Sequence, residues 1–165
     1  MAQVWLVTGS SRGLGRAIVE AGLAAGNKVL ATARDIESLT ELSERYGDQV
    51  KLFALDVTDE AAAANAVKTA IDVFGLLDVV INNAGYGNLS SVEDTPLSEF
   101  RAQIETNLFG TIIVTKAALR YFREKKQATS FSFHRWAEGL VLRDVGLIRL
   151  RNGVSKASLK CCRAK

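Results

Sequence analysis

Apolar and polar positions alternate with two different periods along the first 127 residues of the chain. Short runs rich in valine, isoleucine and leucine predict buried strands, whereas apolar residues three or four positions apart predict helices. The strands predicted in this way are Val4–Thr8, Val29–Ala33, Val50–Leu55 and Leu77–Ile81. The helices predicted between and after them cover about 16–25, 36–46, 58–74 and 100–126, with Thr58 capping the third and Pro96 opening the last helical stretch.

The strict alternation of strand and helix indicates right-handed βαβ units and a parallel sheet. It predicts one α/β domain over residues 1–127, a Rossmann-like doubly wound sheet with strand order 3-2-1-4. After residue 127 the pattern changes, because Arg143, Asp144, Arg149 and Arg151 interrupt every apolar run. We therefore expect the sheet to be truncated after about four strands and followed by an irregular tail over 128–165.

The composition narrows the class of protein. With 165 residues, 48% of them hydrophobic and 24% charged, the chain fits one globular domain and not a disordered or fibrous chain. No apolar run approaches the roughly 18 residues of a membrane helix, and the N-terminus lacks the pattern of a signal peptide. Cys161 and Cys162 are adjacent, which makes them poor disulfide partners. We expect a cytoplasmic protein without membrane association or a metal site.

A glycine-rich segment joins the first strand to the first helix. At this place backbone N–H groups and a helix N-terminus can face a phosphate. A tight turn with close packing of helix against strand is the alternative interpretation. Because the segment opens a βαβ unit, we predict that it binds a dinucleotide through Thr8, Gly9, Ser10, Ser11, Arg12, Gly13, Leu14 and Gly15.

The end of the second strand bears on the choice of nicotinamide cofactor. An acidic residue there would bind the ribose hydroxyls of NAD, whereas arginine suits the 2′-phosphate of NADP. The chain has Arg34 at this point, and Arg12 in the glycine-rich segment offers a second guanidinium. Both arginines could instead be solvated surface residues, and the neighbouring Asp35 argues for NAD. We predict NADP in preference to NAD.

Four motifs together resemble the short-chain dehydrogenase/reductase family. They are Thr8-Gly9-x-x-x-Gly13-x-Gly15, Asp56-Val57, Asn82-Asn83-Ala84-Gly85 and Thr106-Asn107, in the family's order and spacing. The resemblance covers residues 1–127. It implies hydride transfer between NAD(P) and an alcohol or carbonyl substrate of unknown identity.

The resemblance also implies roles for particular residues. Asp56 and Val57 would flank the adenine, and Asn83, Ala84 and Gly85 would line the adenosine ribose. Asn107 matches the catalytic Asn that holds a water in the family's proton relay. Members of the family commonly associate through the helix over 100–126 and the next helix, which implies a homo-oligomer.

The chain departs from the family where the chemistry requires a Ser, a Tyr and a Lys four residues after the Tyr. No tyrosine follows Tyr121, and the nearest in-frame segment is Asn152-Gly153-Val154-Ser155-Lys156. Asparagine cannot act as the acid that this position requires. We therefore expect the polypeptide to be inactive as written.

Our hypothesis for the tail is a changed reading frame. When the third base of each codon is joined to the first two of the next, codons permitted by 129–140 yield Ile-Ile-Gln-Phe-Ser-Ser-Val-Gly-Gly-Arg, the family's fifth strand with its Ser. In the same phase a Tyr codon is permitted across Leu147/Ile148, and a Lys codon four codons later across Arg151/Asn152. We predict that the residues from about 128 are out of frame, through one lost base or two gained.

If the tail is out of frame, the distribution of charge along the chain can be explained without a binding partner. Residues 128–165 carry eight Lys or Arg and two Asp or Glu, whereas the preceding residues carry 13 and 16. A basic tail can indicate nucleic acid, but an out-of-frame tail carries no such design, and we expect no nucleic-acid partner. The lone His134 is likewise expected to be neither a ligand nor a base. Two alternatives to an oxidoreductase stay open, a non-catalytic dinucleotide-binding module and an interaction fragment.

Overall fold

The computed structural model describes residues 2–88, 90–125 and 131–133. Its strands are β1 (Val4–Val7), β2 (Lys28–Ala33), β3 (Val50–Ala54), β4 (Val79–Asn82) and β5 (Phe131–Phe133). Its helices are α1 (Gly13–Ala24), α2 (Thr40–Tyr46), α3 (Glu60–Phe74), α4 (Leu97–Ile104) and α5 (Thr111–Lys125). The predicted alternation of strands and helices is thus present up to the end of α5.

The strands form one parallel sheet in the order β3-β2-β1-β4-β5. The predicted order 3-2-1-4 is confirmed. The sheet was expected to stop after about four strands, but it has a short fifth strand. Val80 to Asn82 of β4 pair with Phe131 to Phe133 of β5. Residues 134–165, which include Cys161, Cys162 and the segment 152–156, lie outside the described residues.

Helices cover both faces of the sheet because successive strand side chains point to opposite faces. Val4, Leu6 and Val80 pack with side chains of α3 and α5, among them Phe122. Val7, Val29 and Ile81 pack on the other face with α1 and with the segment around α2. This three-layer arrangement leaves the carboxyl ends of β1, β2, β3 and β4 at one edge of the sheet, where ligands bind in folds of this kind.

The start of α3 differs from the prediction. The helix begins at Glu60, and Asp59 is its N-cap, with its carboxylate accepting a hydrogen bond from the backbone N–H of Ala62 at 2.9 Å. The predicted Thr58 cap is wrong, because the Thr58 hydroxyl donates instead to Asp56 Oδ1 at 2.7 Å. A carboxylate one residue closer to the helix takes the position that the hydroxyl was expected to fill.

The predicted long helix over 100–126 is a helical rod from Leu97 to Lys125 with an irregular middle. Residues Glu105–Gly110 form a π-helical segment between α4 and α5. Such segments are frequent at functional sites, because the extra residue in the turn changes which backbone groups are paired. Asn107, the predicted catalytic residue, lies within it.

An apolar stripe lies exposed along this rod, formed by Ile104, Leu108, Phe109 and Ile112. These side chains are between 42% and 53% exposed, and the spacing of 104, 108 and 112 places three of them on one side of the helix. Within the described residues, this stripe is thus an apolar surface that is open to solvent. In that part of the chain, no helix combines the length and hydropathy that a membrane span requires.

Candidate functional site

The loop between β1 and α1 has a backbone that only glycine accommodates at two points. Gly9 has a φ of +67°, and a Cβ built there would lie 2.7 Å from the Cα of Ala84. A Cβ on Gly15 would collide with the carbonyl oxygen of Gly9 and with Asn83 Nδ2. Two of the three glycines therefore allow the loop to fold against its neighbours in the protein.

A buried set of hydrogen bonds, the Thr8–Asn83 junction, joins this loop to the loop after β4. The Thr8 hydroxyl accepts from the backbone N–H groups of Asn83 and Ala84, both at 3.0 Å, and donates to the Ile81 carbonyl at 3.4 Å. In return Asn83 Nδ2 donates to the carbonyls of Thr8 and Gly9, at 3.1 and 2.9 Å. The carboxyl ends of two adjacent strands are thus fixed relative to each other.

A cavity of about 360 Å³ opens above this junction. Its lining comes from the glycine loop, from the ends of β2 and β3 and from the loop after β4. Eleven of the predicted cofactor-binding residues form part of it: Gly9, Ser11, Arg12, Gly13, Leu14, Arg34, Asp56, Val57, Asn83, Ala84 and Gly85. The topology therefore brings together predicted residues that are up to 76 positions apart in sequence, from Gly9 to Gly85.

The N-terminus of α1 faces this cavity. Arg12 is its N-cap residue and makes no capping hydrogen bond with its side chain, so no side chain of the cap satisfies the first backbone N–H groups of the helix. A Cβ built on Gly13 would meet no atom within 4 Å. A helix N-terminus with this much open space in front of it suits a phosphate group.

Three arginines near the site differ in their pairing. Arg16 donates to Glu20 at 2.7 Å and to Glu41 at 2.8 Å; its hydrogen bond to Glu20, followed by that to Glu41, raises the pKa of its guanidinium against the effect of burial. In contrast, neither Arg12 nor Arg34 forms an ion pair with any residue in the described part of the chain. Both line the cavity and are exposed, so two unpaired positive charges face it.

Asp35, the residue that argued for NAD in the sequence, does not line the cavity. Its Oδ1 accepts from the backbone N–H of Glu37 at 3.0 Å, and its carbonyl accepts from the Ser38 hydroxyl at 2.6 Å. Asp35 therefore serves the turn that follows β2, and Arg34 is the charged residue at the end of this strand that reaches the cavity.

Asp56 contributes a carboxylate with one oxygen occupied. The backbone N–H of Thr58 and the Thr58 hydroxyl both donate to Oδ1, at 3.0 and 2.7 Å. These bonds, with a smaller contribution from the positive charge of Arg34, lower the pKa of Asp56 against the opposing effect of burial. Asp56 is therefore ionised at neutral pH and can accept a hydrogen bond from a ligand amino group.

Three predicted cofactor-binding residues lie behind the cavity wall. Thr8 and Ser10 are fully buried, and the Ser10 hydroxyl donates to the Val7 carbonyl at 2.9 Å. Gly15 is also buried and packs against Gly9 and Asn83. The three residues shape the loop from beneath, and the structure does not place them among the cavity-lining residues.

Four lining residues were missed by sequence reasoning: Ala33, Leu55, Tyr86 and Thr106. Ala33 and Leu55 end or follow parallel strands, and the rule that ligands bind at the carboxyl ends of such strands could have found them. Tyr86 directly follows Asn83-Ala84-Gly85, and Thr106 directly precedes Asn107. Tyr86 thus stands beside one of the four motifs and Thr106 within another, although the resemblance gave neither of them a role.

Asn107 lies next to the cavity and binds the loop after β4. Its Oδ1 accepts from the backbone N–H of Tyr86 at 3.0 Å, and its Nδ2 donates to the Tyr86 carbonyl at 2.8 Å. The backbone carbonyl of Asn107 accepts from the Thr111 hydroxyl at 3.0 Å. Both polar atoms of the side chain are therefore engaged with the protein backbone.

A larger groove of about 640 Å³ lies between α3 and α5, away from the glycine loop. It is open to solvent, its floor is apolar, and charges of both signs surround it without converging on one point. Lys68 and Asp72 on its rim are paired with each other at 2.9 Å. The chemistry of the cavity at the strand ends therefore makes that cavity the better candidate, despite its smaller volume.

Comparison with protein families gives a match over most of the chain. The model of the short chain dehydrogenase family matches residues 3–129. Among curated relatives, oxidoreductase BOA17 of Botryotinia fuckeliana is 49% identical over 132 residues, which cover 79% of this chain and 48% of the relative. The uncharacterized oxidoreductase YusZ of Bacillus subtilis is 38% identical over 74% of this chain and 45% of its own length.

Solved structures agree with this match. A short-chain dehydrogenase from Streptomyces avermitilis is 39% identical, with a TM-score of 0.74 over 80% of this chain and 48% of its own. The structure of ElxO with NADP bound is 27% identical, with a TM-score of 0.74 over 81% of this chain and 55% of its own. The chain spans about half the length of the curated relatives it matches. On this evidence the chain belongs to the short-chain dehydrogenase family of oxidoreductases, which bind a nicotinamide cofactor.

Proposed function

We propose that residues 1–127 are the cofactor-binding domain of an NADP-dependent short-chain oxidoreductase. The observation that carries the preference for NADP is the pair of unpaired guanidiniums, Arg12 and Arg34, on one cavity that also receives the N-terminus of α1. A 2′-phosphate is a dianion that arginine binds with two charge-assisted hydrogen bonds. NAD lacks this phosphate and would offer the two guanidiniums no dianion to bind.

The lining residues fit the parts of such a cofactor. The open space before Gly13 and the N-terminus of α1 would receive the pyrophosphate. Asp56 and Val57 would flank the adenine, and Asn83, Ala84 and Gly85 would line its ribose. When bound, the nicotinamide supplies or accepts a hydride. The residues of this chain would bind and orient the cofactor. The Thr8–Asn83 junction would hold the two loops in a fixed position relative to each other.

The test is a titration of the purified chain with NADPH and with NADH, followed by the fluorescence of the reduced nicotinamide. We expect NADPH to bind at least about tenfold more tightly, since a charge-assisted hydrogen bond contributes about that factor. Arg34→Ala should remove most of the preference, and Arg12→Ala a part of it, with little change for NADH. Arg101→Ala, an exposed arginine on α4 that does not line the cavity, is the matched control. Equal affinities for NADPH and NADH in the unaltered chain would contradict the proposal.

We also propose that the chain as written does not turn substrate over. No Tyr-x-x-x-Lys follows residue 121, and Asn152 stands where the family's Tyr would precede Lys156, so the acid that donates the proton is missing. Asn107 is in the position that matches the proton relay. Both amide atoms of its side chain are bound to Tyr86, and its backbone carbonyl accepts from the Thr111 hydroxyl. Cofactor binding without substrate-dependent oxidation of NADPH is the expected result.

The absence of these residues is explained, in our proposal, by a change of reading frame near residue 128. The family match ends at residue 129, close to the point where the charge and the hydrophobic pattern change. The restored frame would supply Ser, Tyr and Lys at the family's spacing. Of the residues concerned, the structure describes Phe131–Phe133, which form β5, and the proposal itself rests on the sequence.

A second candidate function is self-association through the rod from Leu97 to Lys125. The apolar stripe of Ile104, Leu108, Phe109 and Ile112 favours it, because a contiguous exposed apolar surface is typical of an interaction site. The sequence left open the alternative that the chain is an interaction fragment. In that case a second copy of the chain would cover the stripe. Cofactor binding and association are compatible, since the stripe residues do not line the cavity.

A further inference from the structure

The loop over Gly85–Asn88, here called the cavity loop, forms one wall of the cavity and has little to hold it by burial. Gly85 and Tyr86 line the cavity, while Tyr86, Gly87 and Asn88 are exposed. In the described part of the chain, no hydrogen bond between two backbone groups reaches this loop. Hydrogen bonds that involve side chains hold it instead: Asn88 Oδ1 accepts from the backbone N–H and the hydroxyl of Ser90, at 3.1 and 2.9 Å, and the other bonds come from a neighbouring element.

Three side chains of the helical rod supply the contacts, and we call Glu99, Gln103 and Asn107 the loop anchor. They are four residues apart, so they lie on one side of the rod. Asn107 binds the backbone of Tyr86 through both of its amide atoms. Gln103 Oε1 accepts from the backbone N–H of Asn88 at 3.4 Å, and Glu99 Oε2 accepts from Asn88 Nδ2 at 2.6 Å.

The contacts with Asn88 differ in strength. The bond to Glu99 is short and has a charged acceptor, which makes it the stronger of the two. The bond to Gln103 is long and joins neutral groups. Asn88 and Glu99 are both exposed, so water competes with their bond and its contribution is modest. A modest contribution still matters here, because the cavity loop has no buried apolar side chain within 86–88 to fix it.

We propose that Asn88, Glu99 and Gln103 are positioning residues of the cofactor site, which act by holding the cavity loop at a fixed distance from the glycine loop. This inference rests on the proposed cofactor binding. Gly85 lies between the buried Thr8–Asn83 junction on one side and the anchored residues Tyr86 and Asn88 on the other. The anchor thus fixes the outer end of a wall whose inner end is fixed by the sheet.

A change of charge at Asn88 tests this inference. Asn88→Asp sets a carboxylate against that of Glu99 and removes the donor, so the two groups repel each other. Glu99→Gln alone keeps an acceptor for Asn88 and is the matched control. In the double variant Asn88→Asp/Glu99→Gln, the new glutamine donates to the new aspartate, and the pair is restored with its roles reversed.

Two readouts are measured on the full chain: the affinity for NADPH, and amide hydrogen exchange over 84–95. We expect Asn88→Asp to weaken NADPH binding about fivefold and to speed exchange at Tyr86 and Asn88. The double variant should recover both, which a merely structural loss at Asn88 would not allow. Faster exchange with unchanged affinity, or a double variant that recovers neither, would overturn the positioning role.

The failure of the proposed function would look different. An unaltered chain that binds neither NADPH nor NADH contradicts the proposed function, and with it the role of the anchor in cofactor binding. An unaltered chain that binds NADPH, together with an Asn88→Asp variant that binds it equally well, contradicts the inference alone.

Discussion

The two walls of the cavity are held in different ways. The glycine loop is fixed by close packing and by buried bonds: Gly9 and Gly15 lie against the loop after β4, and Thr8 is only 1% exposed. The cavity loop is fixed by side chains of the helical rod, through bonds that are accessible to solvent. Buried bonds are costly to lose because the freed groups find no water, so the first wall should be rigid and the second adjustable.

The difference has a functional meaning within the proposal. The glycine loop would meet the phosphates, which are the same whichever substrate reacts, and rigid placement suits that constant task. The wall formed by the cavity loop depends on polar contacts with a helix that carries a π-helical segment. Local opening of a protein occurs mainly in regions with few buried contacts. When the cofactor enters, the second wall should therefore open before the first.

The largest effect is expected at Gly15, within the rigid wall. In Gly15→Ala the added Cβ collides with the backbone of Gly9 and with Asn83. We expect the free energy of unfolding to fall by about 3 kcal/mol. Gly26→Ala is the control, because a Cβ has open space there and only the positive φ of +81° is strained, which costs about 1 kcal/mol. Urea unfolding followed by circular dichroism measures both. Equal losses at the two sites would remove the basis for calling the first wall closely packed.

Thr8 comes next in expected size. Thr8→Val keeps the shape of the side chain but leaves the N–H groups of Asn83 and Ala84 without an acceptor, which should cost about 2 kcal/mol. Thr8→Ser keeps the hydroxyl, and this variant should lose less than about 1 kcal/mol of the free energy of unfolding. The same urea unfolding experiment applies. If Thr8→Val were as stable as Thr8→Ser, the Thr8–Asn83 junction would not be what holds the glycine loop.

The third prediction concerns the outer face of the rod behind the second wall. Leu108→Glu places a charge in the apolar stripe, and we expect self-association of the chain to weaken about tenfold, since a charge at an apolar contact loses its hydration. Val92→Glu is the control, because Val92 is 80% exposed and lies outside the rod. Sedimentation equilibrium over a range of concentrations gives the association constants. Association that is unaffected by Leu108→Glu would place the contact elsewhere.

The smallest effect is expected at Asp56. Thr58 lowers the pKa of this carboxyl, so the two hydrogen bonds stabilise the fold above the ordinary pKa of aspartate, and this contribution is lost as the pH falls through the lowered value. In Thr58→Val the backbone bond remains but the hydroxyl bond is lost, and the pKa should move part of the way back towards its ordinary value. Carbon-detected NMR titration of the Asp56 carboxyl measures the change. An identical titration in both proteins would mean that the hydroxyl bond does not form in solution.

The parts of the structure that the sequence allows one to predict are those set by periodicity and by glycine. The strand order, the loop at Gly9–Gly15 and the arginine at the end of β2 all follow from local patterns with few alternatives. The cap of α3 was missed because Thr58 and Asp59 are both good cap residues, and the tertiary contact of Thr58 with Asp56 decides between them. A one-residue difference of this kind is beyond any single-sequence pattern.

The second wall is harder to predict for a related reason. Glu99 and Gln103 look like ordinary polar residues of an exposed helix face, and only the path of the cavity loop gives them partners. The π-helical segment around Asn107 likewise leaves no mark in the hydrophobic pattern. Side chains that act on a distant loop through hydrogen bonds become visible only when the fold places the loop beside them.

In our proposal this chain holds the cofactor half of an oxidoreductase, and its catalytic half is read in another frame. The nucleotide sequence of the gene across codons 120–165 and beyond decides whether this proposal holds. Our account predicts that correcting a single base opens a frame with Ser, followed by Tyr and a Lys four residues later. Codons that cannot produce these residues in the shifted phase would contradict it and would favour a cofactor-binding module without dehydrogenase chemistry.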